Sequence, residues 1–270
     1  MQFAKKKALI LAAIIVTLPS VVAFYVYWRA VAQPMRKPTS AERFGKCPNI
    51  ILWAWERPED LRFINPREVG VAILTNTIHL KGEETFVRPR LQPLQISKDA
   101  FVISVTRIET DRQEKPSFSD EQRKKVLAKI LATINNPLTS GVQVDFDARE
   151  SEREFYRQLL KDLRKELPTT MPLSITALAS WCLYDNWISD LPVDEAVPML
   201  FRLGADEKQI RAHIENGGDF REPLAAQSLG IATDEPFTRL PASRRVYIFS
   251  NRAWDQATAQ PIIEEVKRWQ

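Results

Sequence analysis

Hydrophobic and polar positions follow three different rhythms along this chain. Residues 8–27 are apolar apart from Thr17, Pro19 and Ser20. A run of about 20 such residues is long enough to cross a bilayer. Residues 33–46 are polar and carry Pro34 and Pro38, which predicts a tether. From residue 49 onward, short β-rich stretches change places with amphipathic helical ones. Strands are expected at residues 49–55, 68–75, 100–108, 142–147, 173–180, 196–202, 228–233 and 245–249. Helices are expected at residues 119–134, 151–167, 206–215 and 258–269, with a short helical turn at 58–64. Ser119 and Gln122 have the spacing of a capping box at the start of the first of these helices. Pro198 argues against a helix across residues 194–203 and makes a sixth strand there. Pro89 and Pro93 keep residues 85–96 extended. Eight short strands with interleaved helices predict an α/β fold, a somewhat irregular (β/α)8 barrel of the TIM type. The barrel takes residues 47–270, after a membrane segment in residues 1–32 and the tether.

The leader changes how charge is read. Lys5, Lys6 and Lys7 precede the apolar run, and Tyr25, Tyr27 and Trp28 close it as interfacial aromatics do. Its length favours an uncleaved signal anchor, a single pass of the inner membrane with the domain in the periplasm. Ala30-Val31-Ala32 also offers a cleavage site, and either reading exports the domain. Arg29, Arg36, Lys37 and Arg43 on the far side run against the usual charge bias. Removing the leader's four basic residues from the chain's 38 leaves 34, equal to the 34 acids, so the domain is neutral. That removes the electrostatic motive for nucleic-acid binding. An exported location permits a disulfide between Cys47 and Cys182, while a buried thiol is an equal reading for Cys182. His79 and His213 lie far apart with no metal-ligand spacing, so no metal or other cofactor is expected from them.

The chemistry concentrates in Gly141-Val-Gln-Val-Asp-Phe-Asp-Ala148. In a strand, Gln143, Asp145 and Asp147 share one face, and Val142, Val144 and Phe146 the other. Acids at the C-terminal end of a strand that precedes a helix stand where barrels keep their chemistry. Sugar hydrolysis needs two carboxyls across the scissile bond. Strand ends four and seven offer Asp147 as the acid and Glu235 as its partner, with Asp145, Asp234 and Glu56 as supporting acids. Proximity of Asp145 would raise the pKa of Asp147, as suits a proton donor. The plainer alternatives are a helix cap or an arginine-paired role for Asp147 and a turn-shaping role for Glu235 before Pro236. Trp55 and Trp181 are candidates to stack on a sugar, while Trp53 reads as core. Arg107 and Arg202, with Arg57 and Arg252, either hold a charged substrate group or neutralise the mouth's own acids. Ser104, Thr106, Ser174 and Thr176 read as inward polar filling of the barrel.

The stretches Trp53-Ala-Trp-Glu-Arg-Pro58, Val87-Arg-Pro-Arg-Leu-Gln-Pro93, Val144-Asp-Phe-Asp147, Leu173-Ser-Ile-Thr-Ala-Leu-Ala-Ser-Trp-Cys182, Val197-Pro-Met-Leu-Phe-Arg202 and Thr233-Asp-Glu-Pro236 resemble a bacterial envelope family of unknown function. The resemblance spans roughly residues 47–254 and implies a glycosidase-like barrel with its site at the mouth, without implying a reaction. Three functions are therefore expected in order: a glycoside hydrolase, a non-catalytic glycan-binding or assembly barrel, and a Mg²⁺ or Ca²⁺ phosphoesterase built on Asp145, Asp147 and Asp234. The partners expected are a glycan and, through the leader, the membrane.

Overall fold

Parallel pairing of the first barrel strand with both the second and the last closes this chain into a ring. The computed structural model describes residues 36–269. The predicted membrane segment and the first part of the tether lie outside the described residues. The chain divides into two units, Met1–Lys37 and Pro38–Gln270, and the second carries everything below.

The strands are β1 (Ile50–Ala54), β2 (Glu59–Asp60), β3 (Val69–Lys81), β4 (Glu84–Pro89), β5 (Leu94–Gln95), β6 (Val102–Thr110), β7 (Thr139–Asp145), β8 (Leu173–Leu178), β9 (Glu195–Met199), β10 (Ser228–Ala232) and β11 (Arg245–Phe249). The helices are α1 (Ser40–Arg43), α2 (Asp120–Ala132), α3 (Arg153–Glu166), α4 (Ala179–Tyr184), α5 (Glu207–Glu215) and α6 (Gln256–Lys267). Eight strands run parallel in the order β1, β3, β6, β7, β8, β9, β10, β11 and return to β1, which closes the barrel.

The irregularities are local. Within residues 58–64, Glu59–Asp60 form β2 instead of a helical turn, because the Glu59 and Leu61 amides donate to Pro93 and Gln95 carbonyls across the excursion. Strand β3 runs six residues past its expected end. Strand β4 pairs with it antiparallel, and β6 continues beside it to Thr110. Ser119 caps α2, but Gln122 does not reach back to it. The Gln122 amide is buried, accepts from Phe118 N–H and donates to the Gly82 and Glu84 carbonyls of the β3–β4 hairpin. Helix α3 buries Phe155, Tyr156, Leu159, Leu160 and Leu163 against the outer face of the sheet. Val142, Val144 and Phe146 meet that layer, as their alternation required.

The barrel interior mixes an apolar cluster with one polar thread. Ile51, Trp53, Ala72, Leu74, Ile103, Val105, Val197 and Tyr247 fill it. The expectation that Ser104 and Thr106 point inward is thus corrected. Ile103 and Val105 take the inner face of β6, and Ser104 bonds to Thr75 instead. Ser174 and Thr176 do face inward. Trp53 Nε1 donates to Gln143 at 2.9 Å, Gln143 Nε2 to Ser174 at 3.0 Å, and Ser174 to Glu195 at 3.1 Å. Arg245 and Tyr247 complete the satisfaction of the fully buried Glu195. Gly230 leaves room for this arrangement, since a Cβ there would lie 3.0 Å from the Trp53 ring. At the opposite end of the barrel from the mouth, Arg43 of α1 and Arg164 of α3 both pair with buried Asp194. Cys47 and Cys182 are free, and burial pushes the Cys47 thiol up to about 12.

Candidate functional site

Parallel register assembles the site. Arg107 on β6 is the ladder partner of Asp145 on β7. Thr176 on β8 donates to Asp145 Oδ1 at 2.7 Å, and Arg107 lies 3.4 Å from Oδ2. Asp145 is buried between these neighbours. Burial raises its pKa, and the Arg107 charge and the Thr176 hydroxyl oppose that rise.

Asp147 lies two residues beyond Asp145, past the last residue of β7. Ala148 N–H bonds back to the Phe146 carbonyl at 2.8 Å, a tight turn that swings Asp147 out of the ladder. Its side chain reaches solvent at the mouth and has no hydrogen-bond or ion-pair partner among the described residues. The helix-cap alternative fails here, because Glu152 takes the Arg149 amide at 2.8 Å at the start of the following turn. The Asp147 carboxyl is raised to about 6, first by partial burial in the mouth and then by the Asp145 charge, with Arg107 pulling the other way. The residue is open on one side and walled by protein on the other, so burial and exposure both apply to it.

A cavity of about 350 Å3 opens above these acids. Trp53 forms part of its floor, and Trp55, Phe201 and Phe249 form its apolar walls. Phe201 and Phe249 stack with ring centroids 5.5 Å apart, and Trp55 meets Phe249 edge-on. Arg107 lies over the Trp55 ring at 5.8 Å. Asp145, Asp147, Arg107, Thr176 and Arg202 supply the polar lining.

Arg202 lines the cavity, but the remaining expected acids and Trp181 are placed elsewhere. Arg202 has φ of 55°, a left-handed conformation that costs a non-glycine residue about 1 kcal/mol or more. Glu235 holds it there by accepting from its main-chain N–H at 2.9 Å and its guanidinium at 3.0 Å. Asp234 takes the same guanidinium and Asn251. Glu235 and Asp234 therefore clamp Arg202 and do not line the cavity. Glu56 pairs with Arg88 at 2.7 Å, also off the cavity. Trp181 is 5% exposed and meets Trp187 edge-on in the layer outside the barrel, so it offers no platform. Asp145, Asp147 and Asp234 do not assemble a cation site. Among the described residues no three His, Cys, Asp or Glu side chains come together as metal ligands, and Arg202 occupies Asp234.

Phe201 and Phe249 also line the site, and the strand-end polar and tryptophan residues alone do not point to them. The signal was present. Phe249 shares the inward face of β11 with Tyr247 and Arg245, two and four residues before it.

No protein-family model and no curated protein sequence matches the chain. Among solved structures it is similar to a Streptomyces coelicolor protein assigned as chitinase A. The TM-score is 0.53 at 10% identity, covering 82% of this chain and 98% of that one. Weaker likenesses are to the Bacillus cereus spore cortex-lytic enzyme SleL and to the chitinase domain of the Clostridium difficile spore coat protein CotE. SleL gives a TM-score of 0.43 at 16% identity, covering 67% of this chain and 50% of that one. CotE gives 0.38 at 12% identity, covering 62% and 53%. The first likeness establishes the fold alone, a (β/α)8 barrel, and the reaction has to be read from the mouth's own residues.

Proposed function

We propose that this protein binds a glycan in the aromatic mouth and cleaves it with Asp147 as the proton donor. One observation carries the reading: Asp147 is an unpaired carboxyl at the rim of an aromatic-walled cavity, raised to about 6. A group with that pKa keeps a useful fraction of its acid form near neutral pH, as general-acid catalysis of glycosidic cleavage requires. Asp145, fixed by Thr176 and Arg107, supplies the neighbouring negative charge that favours an oxocarbenium-like transition state. Trp55 and the stacked Phe201–Phe249 pair offer flat apolar faces to a sugar ring. Reducing-end assays on a panel of neutral and acidic polysaccharides, with wild type and Asp147→Asn, test the reading. Turnover that survives the substitution would remove Asp147 as the acid.

One observation favours the second reading, a glycan-binding barrel without catalysis. Glu235, the carboxyl expected across the bond, is engaged with Arg202, and among the described residues no second free carboxyl faces Asp147 in the cavity. Titration that detects oligosaccharide binding while reducing-end assays stay flat would select it. In either case Trp55→Ala is expected to weaken oligosaccharide binding by about 1–2 kcal/mol, roughly five- to thirtyfold in Kd. An unchanged Kd would move the sugar away from this wall.

The apolar run in residues 8–27 supports placing the domain on the outer side of the inner membrane. Alkaline phosphatase fused after residue 46 is expected to be active in cells. An inactive fusion would put the barrel in the cytoplasm.

A further inference from the structure

A second cavity, of about 160 Å3, opens beside the first and shares Arg107, Asp145 and Asp147 with it. Its other charged walls are Glu109, Arg112 and Arg149. Three arginines and three carboxyls line it, but they do not pair one to one. Glu109 is taken by Arg107 at 2.9 Å, and Asp145 is buried against the same guanidinium. Arg112 and Arg149 have no ion-pair partner among the described residues, and both are exposed.

Their backbones are nevertheless fixed. Asp111 accepts from the amides of Gln113 and Glu114 at 2.8 Å each, which ties down the loop that presents Arg112. The Arg149 amide is held by Glu152 at 2.8 Å. Two guanidiniums thus stand on anchored loops around a small cavity that Asp147 also lines. A guanidinium fork matches the oxygens of a carboxylate or phosphate and is the side chain suited to such groups.

We propose that this second cavity is a subsite for a negatively charged sugar substituent, a carboxylate or a phosphate, carried by the substrate unit next to the one in the aromatic cavity. The inference rests on the glycan reading and adds the substrate class to it: an anionic glycan, spanning an apolar subsite and an arginine subsite with Asp147 between them.

The test is isothermal titration of the full chain in detergent micelles with four probes. These are cellotetraose, a tetrasaccharide of the same length ending in glucuronate, one ending in glucose 6-phosphate, and inorganic phosphate. At least one charged tetrasaccharide is expected to bind roughly tenfold more tightly than cellotetraose, an advantage that shrinks as salt rises. Which of the two charged tetrasaccharides gains identifies the anion. In the Arg112→Gln/Arg149→Gln double variant that advantage disappears while cellotetraose affinity is unchanged. The double lysine variant keeps the charge without the fork and should retain part of it. Equal affinity for neutral and charged tetrasaccharides overturns the subsite and leaves the glycan reading standing, as does an advantage that survives the double glutamine variant. If no oligosaccharide binds, but inorganic phosphate does and loses affinity in the double variant, the glycan reading falls and an anion site remains. Binding by none of the four overturns both.

Discussion

Asp147→Asn is expected to lower glycan turnover by about two to four orders of magnitude, the usual contribution of a positioned general acid. The amide is isosteric and cannot give up a proton at a useful pKa. Asp147 makes no hydrogen bond or ion pair among the described residues, so no structural partner is orphaned by the change. Stability should move in the opposite direction to activity. The folded-state pKa, about 6, lies above the ordinary carboxylate value. The native state therefore binds more protons than the unfolded state between roughly pH 4 and 6, and the stability of the wild type falls as pH rises through that window. Above it, wild type carries an ionised carboxylate beside Asp145 that the asparagine variant lacks. The variant is then expected to melt at the same temperature or higher at pH 7.5, and to lose the difference below pH 4. A structural role for Asp147 would give the reverse, a lower melting temperature at pH 7.5. For wild type, turnover should decline as pH rises through about 6, because the acid form is depleted. A pH–rate profile with no falling limb there would assign proton donation to another group.

Glu195→Ala is expected to destabilise the domain by about 3–5 kcal/mol, a large part of the roughly 5–15 kcal/mol that folded domains have in total. Glu195 is fully buried at the start of β9 and joins three strands through Ser174, Arg245 and Tyr247. Removing it leaves the largely buried Arg245 guanidinium without its carboxylate, and the Ser174 and Tyr247 hydroxyls without an acceptor. An unpaired buried charge is among the costliest single changes available to a protein. Glu195→Gln keeps the Ser174 and Tyr247 hydrogen bonds but loses the charge and the Arg245 bond, so an effect smaller than that of alanine is expected. Urea unfolding of both variants measures the difference. A change under about 1 kcal/mol in the alanine variant would mean that water reaches Arg245 and replaces the carboxylate.

The two predictions draw on different parts of what the residues disclose. The position of Asp145 and Asp147 at the barrel mouth is legible because period-two alternation sets them opposite Val142, Val144 and Phe146 at a strand end. The alternation that buried Val142, Val144 and Phe146 also turned Gln143 and Asp145 inward. Strand β11 and the helices around it were legible from apolar periodicity and turn residues in the same way. Ser104 and Thr106 were assigned to the wrong face. Both residue parities along β6 are buried, so composition could not tell the barrel side from the helix side. Glu235 was chosen by its place at a strand end. Strand-end position says nothing about which neighbour takes the carboxylate, and the left-handed Arg202 amide takes this one. A strand running to residue 180 would put Trp181 near the mouth. The strand ends at Leu178, and α4 turns the indole outward onto Trp187.

Local pattern by itself determined the eight barrel strands, the inward Asp145 of β7 and the neutral charge of the chain after residue 32, because each is read from residues along the chain without their long-range partners. Only the tertiary structure decided which acid is free and which is spent. Arg107 reaches Asp145, and Arg202 reaches Glu235, through parallel neighbours 38 and 33 residues away, and Arg112 and Arg149 stand at a second cavity without ion-pair partners among the described residues. Pairing between charges depends on barrel register and loop course, which closure of the whole ring sets, and no local window of sequence contains that information.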